Sequence, residues 1–188
     1  MSETEHNLKD AELVRRAQGG RVDAFGRLYE RYLDQIYRYI RSRVGQDKDA
    51  EDLTETVFIR SLESLATYQE RGHPYSAFLY QVARNVLVDH YRSNVEEQAL
   101  EDAAPLADGG PEPEVSIEQQ QELLLVQRAM TRLPGDYQEV IRLRVVLSLP
   151  TATAAAWLDR SEGALRVLLY RALKALRREV ERLHQEGD

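Results

Sequence analysis

Apolar residues in the first half of the chain recur every three or four positions, and no stretch shows the strict alternation of a half-buried strand. Phe25, Leu28, Tyr29, Tyr32, Leu33, Ile36, Tyr37, Ile40 and Val44 mark a long amphipathic helix ending near Gly45. A shorter helix from Asp10 to Gln18 precedes it and stops at Gly19-Gly20. Asp47 or Asp49 can cap the next helix, "DAEDLTETVFIRSLESLATY", whose Leu53, Val57, Leu62 and Leu65 are expected to face inward. After a break at Arg71-Gly72-His73-Pro74 comes "YSAFLYQVARNVLVDHYRS". Its apolar positions are Tyr75, Phe78, Leu79, Val82, Ala83, Val86 and Leu87; its other positions carry Tyr80, Gln81, Arg84, Asn85, Asp89, His90 and Arg92.

The second half repeats the helical pattern with shorter pieces. Leu133-Pro134 reads as a break before a helix from roughly Asp136 to Val146, with Val140, Ile141, Leu143 and Leu147 as its apolar side. Leu149-Pro150 breaks the chain again, Thr151 to Leu158 forms a short Ala-rich helix, and Asp159-Arg160 is a tight turn. The last helix begins at a Ser161 cap with Glu162 in its first turn, where a hydroxyl and a carboxylate suit orphan N–H groups and the dipole. Leu165, Leu169, Ala172, Leu176, Val180 and Leu183 make one continuous stripe, opposite Arg171, Lys174, Arg178 and Arg182, with Arg166, Tyr170 and Arg177 at the margins. A short helix, a turn and a longer basic helix is the helix-turn-helix plan, which can lay a helix in the major groove. Taken alone, the cationic side reads first as a solvated charged face.

Charge divides the chain further. The net charge is -7, yet nine acids and no Lys or Arg lie between Ser93 and Gln127. Without those nine, 23 acids face 25 bases. The same stretch holds Pro105, Gly109-Gly110, Pro111 and Pro113, the composition of a flexible acidic linker. The expected organisation is all-α: a helical domain over 8–93, a linker over 94–121 and a helix-turn-helix domain over 122–185. The absence of cysteine excludes disulfides, thiolate-bound zinc and a thiol nucleophile. His6, His73, His90 and His184 are scattered, and no phosphate loop or nucleophile elbow occurs. No catalytic residue, metal or cofactor is expected. No run nears eighteen apolar residues, and the polar, acidic start is unlike a signal peptide, so the expected location is cytoplasmic, without membrane insertion.

Four blocks, "ELVRRAQGGRVDAFGRLYERY", "DAEDLTETVFIRSLESL", "LYQVARNVLVDHYR" and "SEGALRVLLYRALKALR", resemble in order and spacing the sigma factors of bacterial RNA polymerase. The length, with two helical modules and no further domain, is similar to the extracytoplasmic-function (ECF) group. The likeness covers roughly residues 10–93 and 122–183. It implies a transcription initiation factor, not an enzyme, that binds core RNA polymerase and directs it to the -10 and -35 promoter elements.

The resemblance also implies roles for particular residues. Asp49, Glu51, Asp52, Leu53, Glu55, Thr56 and Phe58 would dock on the clamp helices of the largest polymerase subunit, since an acidic, partly apolar face suits a basic coiled coil. Tyr75, Phe78, Tyr80, Gln81, Arg84, Asn85, Asp89, His90 and Arg92 would contact the opened -10 element, with Arg84, Asn85 and Arg92 favoured over the more core-like Tyr75 and Phe78. Ser161, Glu162, Arg166, Val167, Tyr170, Arg171 and Lys174 would meet the -35 duplex in the major groove. An anti-sigma protein is an implied partner, and the free chain is expected to be a monomer. The chain departs from the family pattern at Glu55-Thr56 (usually Gln-Glu), Phe78 (often Trp), Pro150, Asp159 (a turn glycine) and Leu168 (often basic). The alternatives are a DNA-binding regulator acting without polymerase, and a sigma-like interaction protein that only sequesters partners.

Overall fold

The computed structural model describes residues 9–69, 73–98 and 117–187, with side chains at all of these except 94–98, 117–120 and 187. The described residues form eight α-helices and no strand, in two compact units. The centre of the expected acidic linker lies outside the described residues.

The first unit holds α1 (Asp10–Gln18), α2 (Val22–Arg41), α3 (Asp47–Leu65) and α4 (Tyr75–Gln98). α1 ends where the sequence demands it: Gly20 adopts φ 85°, which an L side chain resists, and the Arg21 amide closes the turn on the Arg16 carbonyl. Leu13, Leu28, Ile36, Ile40, Val57, Leu79 and Leu87 fill the core, while Ala24, Ala50 and Ala83 let backbones approach. Tyr39 and Tyr80 meet edge to face at 5.1 Å, both fully buried. Two residues lie on other faces than expected. Leu62 points outward, 51% exposed, because α3 carries more apolar residues than one inward stripe can take. Tyr80 belongs to the core rather than the polar face of α4.

Polar contacts tie the helix ends together. Gln18 Nε2 donates to the Leu65 and Tyr68 carbonyls, at 2.9 and 2.8 Å, satisfying the end of α3. Asp10 at the head of α1 accepts from Arg31 and from the Tyr32 hydroxyl. Burial and that carboxylate both push the Tyr32 hydroxyl's pKa up from its ordinary value. Burial likewise pushes Tyr75 up to about 12. α4 runs past the expected domain end at Ser93 to Gln98.

The second unit holds α5 (Ile117–Thr131), α6 (Gly135–Ile141), α7 (Thr151–Trp157) and α8 (Glu162–Gly187). Pro134 and Pro150 sit at the N-caps of α6 and α7, where their missing N–H costs nothing. The expected helix over 136–146 is α only to Ile141; Arg142–Val146 widens into a π-turn, with the Leu147 amide on the Arg142 carbonyl at 2.9 Å. That turn closes on Ser148 at φ 53°, and the Leu149 amide returns to the Leu143 carbonyl. α7 ends in a Schellman turn: Arg160 N–H bonds to Ala155 O at 2.9 Å, Asp159 N–H to Ala156 O at 3.3 Å, with Asp159 at φ 52°. Trp157, Ala154, Ala155, Leu143, Leu165 and Ala172 make the core where α6, α7 and α8 meet.

Candidate docking groove and nucleic-acid faces

Three surfaces carry the residues singled out in the sequence. The first is a groove of about 890 Å³ between α2 and α3. Its floor is apolar: Phe25 and Leu33 from α2, with Phe58, Ile59 and Leu62 from α3. Tyr29 stacks edge-on against Phe58 at 4.7 Å. The acids Glu30, Asp34, Glu51 and Glu55 also line it. Tyr29, Ile59 and Leu62 are exposed large apolar residues at 38, 51 and 51%. An acid-edged apolar trough of this kind matches a helix with an apolar ridge and basic flanks.

The seven expected docking residues therefore separate. Glu51, Glu55 and Phe58 line the groove, with Phe58 buried as part of its floor. Asp49, Asp52, Leu53 and Thr56 lie on the adjoining face of α3, Asp52 exposed and Thr56 Oγ1 returning to the Asp52 carbonyl at 2.9 Å. Sequence reasoning missed Tyr29, Glu30, Asp34, Ile59 and Leu62. Their signal was available: α2 and α3 each carry apolar residues outside the core-facing stripe.

The second surface is the solvent face of α4. Gln81, Arg84, Asn85 and Arg92 are exposed there and share one helical face with Val88, which is 48% exposed and was not anticipated. Among the described residues Arg84 and Arg92 have no carboxylate partner. Asp89 does: Arg60 Nη1 of α3 donates to it at 2.5 Å. His90 is half-buried against the Tyr91 ring. At the head of α4, Tyr68, Tyr75 and Phe78 form an aromatic cluster with centroids 4.7–5.8 Å apart. Tyr75 and Tyr80 are buried, so neither offers a stacking face.

The third surface is α8. The Ser161 hydroxyl accepts from the Ala164 amide at 3.2 Å, as its capping position requires. Down the centre of the exposed side run Gly163, Val167, Tyr170 and Lys174, with Val167 at 50% and Tyr170 at 67% exposure. Arg166 and Arg177 flank one edge, each neutralised by an acid four residues away, Glu162 and Glu181, both at 2.9 Å. Arg171 and Arg178 occupy the other edge and, like Lys174, have no acid partner among the described residues. Leu168, where a cation was noted as frequent, is half-buried.

Among the described residues no cluster of His, Asp or Glu could hold a metal ion, and no helix is long and apolar enough to cross a membrane.

Two all-helical units, one with an acid-edged groove beside a cation-bearing helix and the other a helix-turn-helix, are the parts of a promoter-specificity factor. Family models agree: sigma-70 region 2 matches residues 28–96 and sigma-70 region 4 matches residues 123–176. The ECF RNA polymerase sigma factor SigD of Mycobacterium tuberculosis is 31% identical over 180 residues, covering 89% of this chain and 82% of SigD. The chain belongs to the ECF RNA polymerase sigma factors, transcription initiation factors that direct RNA polymerase to promoters. The ECF sigma factor BldN of Streptomyces coelicolor is 38% identical over 169 residues; the match takes in 89% of this chain and 64% of BldN, just under two thirds of that relative's length. In fold the chain is similar to the sigma factor RpoE of Bartonella quintana, solved with the anti-sigma factor NepR, at a TM-score of 0.59 and 20% identity over 85% of this chain and 98% of that one.

Proposed function

We propose that this chain works as the promoter-specificity subunit of RNA polymerase, with the α2–α3 groove as its dock for a basic coiled coil of the core enzyme. The observation that carries this reading is the groove's exposed Ile59 and Leu62 beside Glu51 and Glu55, an apolar anchor with charge to steer it. Asp49, Asp52, Leu53 and Thr56 extend the contact along α3. Gln81, Arg84, Asn85 and Arg92 then track the opened -10 strand, while α8 enters the duplex at -35. The chain contributes binding energy and no bond-making step: docking supplies the affinity that offsets the unstacking of promoter bases.

We infer further that the chain acts in the cytoplasm, where polymerase and promoters are, and that an anti-sigma protein holds it when idle. The RpoE–NepR assembly supports that partner class by analogy. The expected domain limits, 8–93 and 122–185, serve as the limits of the two working modules.

The deciding experiment is gel filtration of the full chain with bacterial core RNA polymerase, alongside a Glu55→Arg, Leu62→Asp variant. Both side chains are exposed, so the variant keeps its helical circular dichroism. Co-elution of the parent and its loss in the variant supports the reading. Equal co-elution of both moves the dock elsewhere, and binding to duplex promoter DNA without polymerase points to a regulator of another kind.

A further inference from the structure

Every basic side chain on the exposed side of α8 sits at an edge, apart from Lys174 at the far end of its centre line. The middle of the reading surface is apolar. Val167 and Tyr170, one turn apart, stand 50% and 67% exposed with no core to join, and a β-branched residue at an exposed helical site is a weaker helix former than alanine. Arg166, directly before Val167, is engaged by Glu162. Arg171, Lys174 and Arg178, without an acid partner among the described residues, follow one another three and four positions apart along the exposed side.

Resting on the -35 reading above, we propose that this chain recognises the centre of its upstream element through thymine C5 methyl groups, gripped by Val167 and Tyr170. In the major groove, thymine differs from every other base by that methyl, and an apolar side chain reads it without hydrogen bonds. Val167 has no donor or acceptor to offer guanine or adenine. The phosphate work falls to the Arg171 edge, which adds affinity and no sequence information. Arg166 stays available for a guanine at the border once it leaves Glu162.

The test uses the full chain assembled with core polymerase. A promoter duplex is recovered by selection from a library randomised upstream of a fixed -10 element, then resynthesised with deoxyuridine replacing each upstream thymidine in turn. Removing a gripped methyl is expected to weaken binding about three- to fivefold, the worth of one methyl-sized apolar contact. In the Val167→Ala variant, whose helix propensity rises, the thymidine and deoxyuridine duplexes should bind alike at the position Val167 reads. Arg171→Ala should weaken both duplexes equally. If scrambling the upstream element abolishes binding but no deoxyuridine has an effect, the methyl reading is overturned while the -35 site survives. If scrambling also has no effect, the -35 site itself falls and the methyl reading with it. A selected element without thymine at its centre is equally fatal.

Discussion

Ser148 and Asp159 are the two non-glycine residues in the left-handed region among the described residues, at φ 53° and 52°. That conformation costs an L residue roughly 1–2 kcal/mol, less for Asp, whose side chain tolerates it. Replacing Ser148 by glycine removes the crowding and restores some chain entropy to the unfolded state, for a net gain of about 0.5–1 kcal/mol. Trp157 is the only tryptophan and is fully buried in the second unit, so its fluorescence reports unfolding there. A higher urea midpoint by that probe in Ser148→Gly, and a smaller rise in Asp159→Gly, are the expected results; a fall in both would mean the side chains stabilise their turns. The sequence pattern exposed Asp159, because a turn glycine was missing at a recognisable place. It did not expose Ser148, since the π-turn that forces it arises from packing rather than from composition.

Tyr32 and Tyr75 give the first unit a pH signature. Both hydroxyls have pKa values raised by burial, with Asp10 adding to Tyr32. A raised folded pKa holds the proton more tightly in the native state, so the contribution is complete below about pH 10 and falls as pH climbs toward the folded values. The urea midpoint followed by circular dichroism should therefore drop between about pH 10 and 12. Tyr32→Phe should cost about 1 kcal/mol of stability at neutral pH and flatten part of that slope. An unchanged slope would show that other tyrosines set it.

At the scale of elements, α4 separates core from contact along one helix. Tyr80→Ala opens a cavity against Tyr39 and should cost about 3–5 kcal/mol. Arg84→Ala touches no packed neighbour, so stability should hold within about 0.5 kcal/mol while promoter opening slows. Permanganate reactivity of unpaired thymines, read with polymerase present, checks the second half. The helices themselves were legible: α1 was expected at its observed limits, and the caps at Ser161 and the breaks at Pro134 and Pro150 follow from local chemistry. Faces were less so. An aromatic ring with a hydroxyl, such as Tyr80, fits core and surface equally on a helical wheel, and only the neighbouring Tyr39 decides. Leu62 was misjudged for the opposite reason, as its apolar character concealed an outward position.

On the scale of the whole chain, the acidic total conceals a cationic edge. Each of Arg171, Lys174 and Arg178 that sits on a phosphate displaces condensed counterions, so affinity should fall steeply with salt. Arg178→Ala should flatten the slope of log K against log salt by about one, without changing which promoters are chosen. A changed preference with an unchanged slope would make Arg178 a base reader. The order of the motifs made the two-unit plan readable from sequence. The surplus apolar residues of α2 and α3 were visible in the sequence, but their meeting in one groove was not, because it is made jointly by both helices and belongs to neither pattern alone.

The exposure of Ile59 and Leu62 has a bearing on the life of the unbound chain. Two aliphatic side chains half in water form a patch that a helix with an apolar ridge can cover, whatever its origin. If polymerase and an anti-sigma protein both use that patch, silence and activity become rival claims on it, settled by which claimant is more abundant and leaves more slowly.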